Sequence, residues 1–301
     1  MSTSFSLPSL VLDFQYMAET TRGTFKDPGA PTAATFICQS PELGFTEDWG
    51  LTGNAVTGSR DLAHVISTMQ DARFSMLIPN VISPETMTFL KRGINLADGI
   101  QATMSGCLRY SLGATAYYLA LKHMLIGAGT ISLIGGGAWA ASVLMVAKVH
   151  SNTTSSPTNW TFPSPPSTFP LMSSDAGANH VTIKDVDTGV EYNPSVLGLT
   201  FAFNNGLFPI PATGTDTWAD IIPTGRGASV RYIVSTEATT TPSLFTLANS
   251  HHECNSTIVI KTATHTLTIT GGKVSPLTLP FTQDSPGRMA FMHIGKTVAL
   301  T

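Results

Sequence analysis

The chain has 301 residues, long enough for about two cores. Only 12% of it is charged (Lys+Arg 16, Asp+Glu 19), against about 25% in an ordinary soluble domain, while its hydrophobic fraction of 42% is ordinary. That balance excludes an intrinsically disordered chain, and a net charge of −3 speaks against a dedicated nucleic-acid binder. The surface is short of charge, so it meets either other subunits or lipid.

The first residues hold an apolar run with no basic stretch ahead of it and a proline, Pro8, close by, which predicts no signal peptide. Cys38, Cys107 and Cys254 are odd in number and far apart, so buried reduced thiols are expected rather than disulfides or a CxxC metal site. Asn-x-Ser/Thr triplets at Asn152, Asn159 and Asn255 follow from a sequence rich in Ser and Thr. Residues 73–78 read as a strand. Ser83-Pro84-Glu85 then opens a short helix, with Ser as N-cap and Pro in the first turn. Met87, Phe89 and Leu90 give that helix its apolar face, Lys91 and Arg92 suit its C-terminal dipole, and Gly93 is the expected stop. Residues 100–111 return to strand character.

Residues 124–147 run without a charge for longer than a membrane helix needs. Gly135-Gly136-Gly137 interrupts them, and the flanking halves, 125–134 and 139–149, are strand-sized. A buried β-hairpin is therefore expected over a membrane span. Residues 151–174, full of Pro and small polar residues, read as an extended linker. Trp160, Phe162 and Phe169 would lay it against a domain or a neighbour. Asp185, Asp187 and Glu191 fall at the turn between strand-like residues 181–183 and 190–192. A solvated hairpin tip is expected there, with weak calcium binding as the alternative. A second helix follows strand 230–235: Thr241 caps it, Pro242 opens it, Leu244, Phe245 and Leu247 pack, and Asn249 ends it. Residues 257–261 and 264–270 are strand-like.

The two helices stand in matching surroundings, with Pro84 and Pro242 158 positions apart. Leu43-Gly44-Phe45 to Gly50-Leu51 matches Leu199-Thr200-Phe201 to Gly206-Leu207, 156 positions on. Thr57-Gly58-Ser59-Arg60 has a counterpart in Thr224-Gly225-Arg226, and residues 137–148 in 287–296, each run opened by Gly and closed by Lys. Four matches in order, at similar offsets, suggest an internal duplication. It divides the chain into a first β domain (1–150), the linker (151–174) and a second β domain (175–301), each with one short helix.

Catalytic patterns are weak. Gly127-Ala128-Gly129 lacks the third glycine of a dinucleotide fingerprint, with Ser132 in its place. His251-His252-Glu253-Cys254 offers metal-type ligands, but residues adjacent on a loop cannot converge on one ion without distant help. No GxSxG elbow, P-loop or HExxH occurs. The expectation is no enzyme, no cofactor and no resident metal.

Ala18-Glu19-Thr20-Thr21-Arg22-Gly23-Thr24 resembles the Glu-Thr-Thr-x-Gly-Thr element near the N-terminus of long bacteriophage tail tube proteins, followed as there by a Gly-x-Arg loop, Gly58-Ser59-Arg60. The stretch from Leu199 through Asn204-Asn205-Gly206-Leu207 is similar to the strand and turn of the tail tube domain. Ile221 to Gly225-Arg226 and Val230 resembles its Gly-Arg loop, and Gly287 to Ile294 its final strand. The glycine-rich hairpin around Gly135 departs from that pattern.

The resemblance implies a mainly β fold: two tandem tail-tube-type β-sandwich or barrel domains, each with a short helix. It implies a structural virion protein of the tail, assembled in the host bacterial cytoplasm. Rings would stack into a tube whose β-barrel lumen conducts DNA. Two domains per chain would build a pseudo-sixfold wall from three chains, with hexameric rings as the alternative. Terminator, tape measure and distal tail proteins would be partners, DNA would pass without specific binding, and no membrane would be involved. A lumen that passes DNA is expected to have neutral or acidic walls. Trp49, Arg60, Trp218 and Arg226 are the candidate ring-to-ring contacts; Met87, Leu90, Leu244 and Phe245 are the candidate packing residues of the helices. Rival readings are a capsid or decoration subunit of a virion and a pore-former that inserts residues 124–147.

Overall fold

In the computed structural model the first half of the chain contains β1 (Phe5–Ser6), β2 (Leu12–Ala18), β3 (Thr35–Cys38) and β4 (Gly44–Glu47). A hairpin of β5 (Leu51–Ala55) and β6 (Leu62–Ser67) follows, then β7 (Ala72–Ile78), helix α1 (Pro84–Ile94), β8 (Met104–Leu112), β9 (Thr115–Ile134) and β10 (Ala138–Thr153). The second half has β11 (Val181–Asp185), β12 (Glu191–Tyr192), β13 (Val196–Asn204) and the hairpin of β14 (Leu207–Pro211) and β15 (Trp218–Pro223). It continues with β16 (Gly227–Ser235), helix α2 (Thr240–Ser250), β17 (Cys254–Ile260), β18 (His265–Thr270), β19 (Lys273–Thr278), β20 (Arg288–Gly295) and β21 (Thr297–Leu300). The structure describes residues 5–6, 12–27, 35–38, 44–47, 51–55, 62–67, 72–78, 84–96, 102–112, 115–134, 138–162, 180–211, 218–235, 240–260, 265–278 and 288–301. The fold is mainly β, with antiparallel sheets and two helices among the described residues.

Alternation drives the strands. In β17 every second residue is buried, and β11 and β21 show the same period, so each lays one face on the core and leaves the other open. The charge-free stretch forms the expected hairpin, but its strands are longer than the sequence suggested, 20 residues for β9 and 16 for β10. No helix among the described residues is long and apolar enough to cross a membrane.

The strand order runs twice. One sheet of the second half reads β12-β11-β17-β18-β21, and the first half pairs β3 with β2, β2 with β8, β8 with the start of β9, and the start of β9 with the end of β10. The other sheet reads β13-β16-β20-β19 in the second half and β4-β7-β10-β9 in the first. Register makes the match residue by residue. Thr46 faces Arg73 and Ala202 faces Ser229; Ala141 faces Ile78 and Met289 faces Val234; Thr130 faces Ser142 and Thr278 faces Ala290.

The halves differ where a strand passes from one sheet to the other. In the first half β9 bends without breaking at His123 (φ 52), opposite register shifts in β10. In the second half the chain breaks between β18 and β19 at Gly271 (φ 69) and Gly272 (φ 94). A Cβ on Gly272 would run into the Ile294 carbonyl oxygen, so both conformation and space require glycine there.

Several boundaries move. Gly93 does not stop the first helix but lies inside it, where a Cβ would meet the Ile126 side chain at 2.9 Å; its bareness lets α1 close on β9. The second helix begins at Thr240, ahead of the expected cap at Thr241, and extends past Asn249 to Ser250. The expected domain boundary at residue 150 and the linker start at 151 fall inside β10, because Ser151 to Thr153 still pair with Ala120 to Tyr118. Nor are there two separate cores. One buried cluster runs from Phe14 to Leu300 through both halves, and β9 joins β13 so that the two sheets become one. Met87, Leu90 and Leu244 are buried in that core and Phe245 is half-buried.

Candidate assembly surfaces

The join between the halves is an edge-to-edge strand pairing within one chain. Six consecutive residues of β9 and β13 face one another, from Leu133 with Leu199 to Ala128 with Asn204. Ile131, Leu133, Phe201 and Phe203 are buried on the core side of the seam. On the other side Ser132 Oγ donates to Thr200 Oγ1 at 3.3 Å.

Just past the seam, Asn205 is fully buried. Its Nδ2 donates to the carbonyls of Gly93 (2.9 Å) and Ile126 (2.8 Å), and its own N–H donates to Gly127 O. One amide therefore ties the last turn of α1, strand β9 and the second half together. Gly206 (φ 52) follows, and Leu207 enters the β14–β15 hairpin.

That hairpin lies over the first half. Ile221 is fully buried with Leu125 and Val146 in a small cluster of their own, and Leu207 packs against them. The Arg22 guanidinium holds it from the other side. Its Nε donates to Asp220 Oδ1 at 3.0 Å and Oδ2 at 3.2 Å, and an NH2 donates to Ile221 O at 2.7 Å. His123 Nε2 lies 2.9 Å from the same Asp220 Oδ1. Burial works to raise the Asp220 carboxyl, but the Arg22 hydrogen bond and the Ile221 N–H outweigh it and hold it low. Burial also lowers His123, with Asp220 opposing.

The Glu-Thr-Thr-Arg-Gly-Thr element thus has a structural job in this fold. Glu19 accepts from Gly23 N (2.7 Å), His123 N (2.6 Å) and Ser105 Oγ (3.2 Å), which fixes the turn that aims Arg22 at the hairpin. The linker's Trp160 is buried and stacks with Phe25 (centroids 5.7 Å apart), while Phe162 sits beside Tyr118 and under the Arg109 guanidinium.

Beyond that clamp, the same face of the hairpin exposes apolar side chains. Phe208 is 56% exposed, and Ile222 and Ile210 are also exposed, forming an apolar patch. Arg226 is exposed in the turn that leads to β16, and Trp218 lies on β15 in register with Pro211. Trp49 and Arg60, the other two expected contacts, lie outside the described residues.

The large sheet turns its second face away from the core. Ser75, Thr130, Ser132, Ser142, Thr200 and Ser229 give it hydroxyls, and Arg73 and Arg231 give it charge.

The two weak ligand groups of the sequence meet in space. Ligand atoms of Asp185, Asp187 and His252 lie within 4.8 Å of one another. Asp185 is buried rather than at a solvated tip, because it closes its own turn. Its Oδ1 accepts from Asp187 N and Thr188 N, and its Oδ2 pairs with His252 Nδ1 at 2.8 Å. Asp187 Oδ2 accepts from Glu253 N. Burial works to raise Asp185, yet these hydrogen bonds bring it down to about 2. The Asp185 hydrogen bond raises His252. The cluster fastens the β11–β12 turn to the segment after α2. Cys107 and Cys254 are buried and free, with burial pushing their thiols up to about 12 and about 11.

No family model matches the chain, and no curated protein matches it.

Proposed function

We propose that this chain is a structural subunit of a virion, building the tail tube of a bacteriophage from stacked rings. The observation that carries the reading is the β9·β13 seam. One half of the chain already binds the other as ring neighbours would, by strand pairing plus an overlying hairpin, and each end of the joined sheet repeats one side of that seam. Three such chains supply six equivalent units to a closed ring. The exposed Phe208–Ile222 face and the Arg226 turn are then the surfaces that meet the next ring. Such interfaces absorb the charge-poor surface.

In this reading the hydroxyl-rich face of the large sheet lines the channel. Arg73 and Arg231 make that wall sparsely basic rather than neutral or acidic, a weak and salt-sensitive contact with a passing duplex. The protein would act in the virion tail after assembly in the bacterial cytoplasm, beside terminator, tape measure and distal tail proteins, without enzymatic activity. Electron microscopy of the purified protein tests the reading. Tubes or stacked rings are expected, and closed shells or lone monomers would overturn it.

A further inference from the structure

The second half buries a polar group that the first half does not. Tyr232 on β16, Ser256 on β17 and His293 on β20 are all fully buried. Register places Met76, Gly106 and Met145 at the matching positions. Ala141 with Ile78 matches Met289 with Val234, and Gly106, between Tyr16 and Leu121, matches Ser256, between Ile183 and Ile269. The same arrangement of strands closes over methionine and glycine in one half, so packing alone does not call for a histidine in the other.

His293 is bonded at both ring nitrogens. Nε2 lies 2.8 Å from Gly271 O, and Nδ1 lies 2.7 Å from Ser256 Oγ. A carbonyl only accepts, so the ring proton sits on Nε2 and Nδ1 accepts from the Ser256 hydroxyl. Gly271 (φ 69) and Gly272 (φ 94) form the break between β18 and β19, so the histidine holds the point where the chain leaves one sheet for the other. An imidazolium would present a second N–H to Ser256, whose hydroxyl would have to turn away. Among the described residues no carboxylate pairs with it. Tyr232 from β16 and Cys254 from β17 stand near it, both kept neutral by burial. Asp185 and Asp187 reach Cys254 from the β11–β12 turn, and the Glu253–Lys296 ion pair (3.0 Å) lies beyond Gly271. From β16 and β19 the residues in register with it are Val230 and Val274. The first half also has a histidine where its strand crosses, His123, but there Asp220 Oδ1 stands 2.9 Å from Nε2 and can balance a proton taken up.

We propose that His293 is an acid-operated latch: while neutral it pins the β18–β19 crossing, and on taking up a proton it releases β19, the last strand of the large sheet. This goes beyond the tube reading and does not rest on it. Burial lowers the His293 pKa, with the hydrogen bonds of the Gly271 and Cys254 backbone opposing. A histidine depressed in the folded state contributes fully above the ordinary value of about 6.5, and its contribution shrinks as pH falls below that value. The first half, with Met145 in the same place, has no such dependence at the matching strand.

Amide hydrogen exchange of the full-length protein at about pH 7.5 and about pH 5 tests the latch. Protection factors of β19 should fall by about ten-fold for each unit by which His293 sits below its ordinary pKa. Those of residues 125–130, the matching part of β9, should hold. Equal losses in the two strands, or none in β19, would overturn the latch, and this comparison needs no variant. His293→Gln adds the cause: its amide can donate to Gly271 O and accept from Ser256 without titrating. The variant should keep β19 protected at both pH values, with His293→Met, the first half's residue, as a second variant. A β19 that still loosens in acid without His293 would assign the effect to another group and overturn the proposal.

Discussion

Val146 and Ile294 hold matching places on matching strands, yet one is covered and the other is bare. The chain itself explains the difference. The second half lays its β14–β15 hairpin over Val146, whereas no element among the described residues covers Ile294. Equivalent sequence positions therefore acquire different environments from what packs over them. The covered site has a strand seam, a buried amide at Asn205, a hydrophobic cap at Ile221 and an Arg22 clamp.

The strongest way to break the covered side is Asn205→Leu. It leaves the Gly93 and Ile126 carbonyls buried without their donor, at about 1–3 kcal/mol each. A fall in unfolding free energy of that size, measured by urea unfolding, is expected; an unchanged value would show that the amide is dispensable. Ile221→Ala compared with Ile294→Ala sharpens the contrast. Loss of the fully buried Ile221 side chain should cost about 2–5 kcal/mol, whereas the exposed Ile294 change should stay within about 0.5 kcal/mol in the single chain. Equal losses would contradict the difference in cover.

The smallest effect lies away from the seam, at the Asp185 turn. Asp185→Asn removes the charge that accepts from His252, Asp187 and Thr188, and should cost about 1–3 kcal/mol at neutral pH. Asp185 is depressed to about 2, so its contribution is present above the ordinary carboxylate range and is lost as pH falls toward 2. His252 is raised, so its part is complete below about 6.5 and fades as pH rises through the raised value. Urea midpoints of wild type and variant should therefore converge at low pH. A gap that persisted at pH 2 would assign the loss to packing instead of charge.

Much of this was legible in the chain. Short-range chemistry marked both helices through their proline starts, and period-two burial marked the strands. The helix faces matched across the halves because Met87 and Leu90, like Leu244, Leu247 and Ala248, follow helical spacing. Gly93 was misread as a stop because a glycine that ends a helix and one that lets a helix touch a strand look alike in sequence. Asp185 and His252, 67 positions apart, could be found only once β11 paired with β17. Asn205 gave a turn signal but no hint that its amide would be buried between two carbonyls from the other half.

By itself, then, the sequence determined what local rules reach: the β class, the two helices, the glycine-limited hairpin and the order of the repeated units. Only the tertiary structure decided that the units share one sheet and one core, that Glu19 and Arg22 serve to clamp a hairpin, and that one sheet edge carries a two-residue strand. The reason is physical. A strand's period fixes which face it buries, but its partner is chosen by every other edge the folded chain brings within hydrogen-bonding reach.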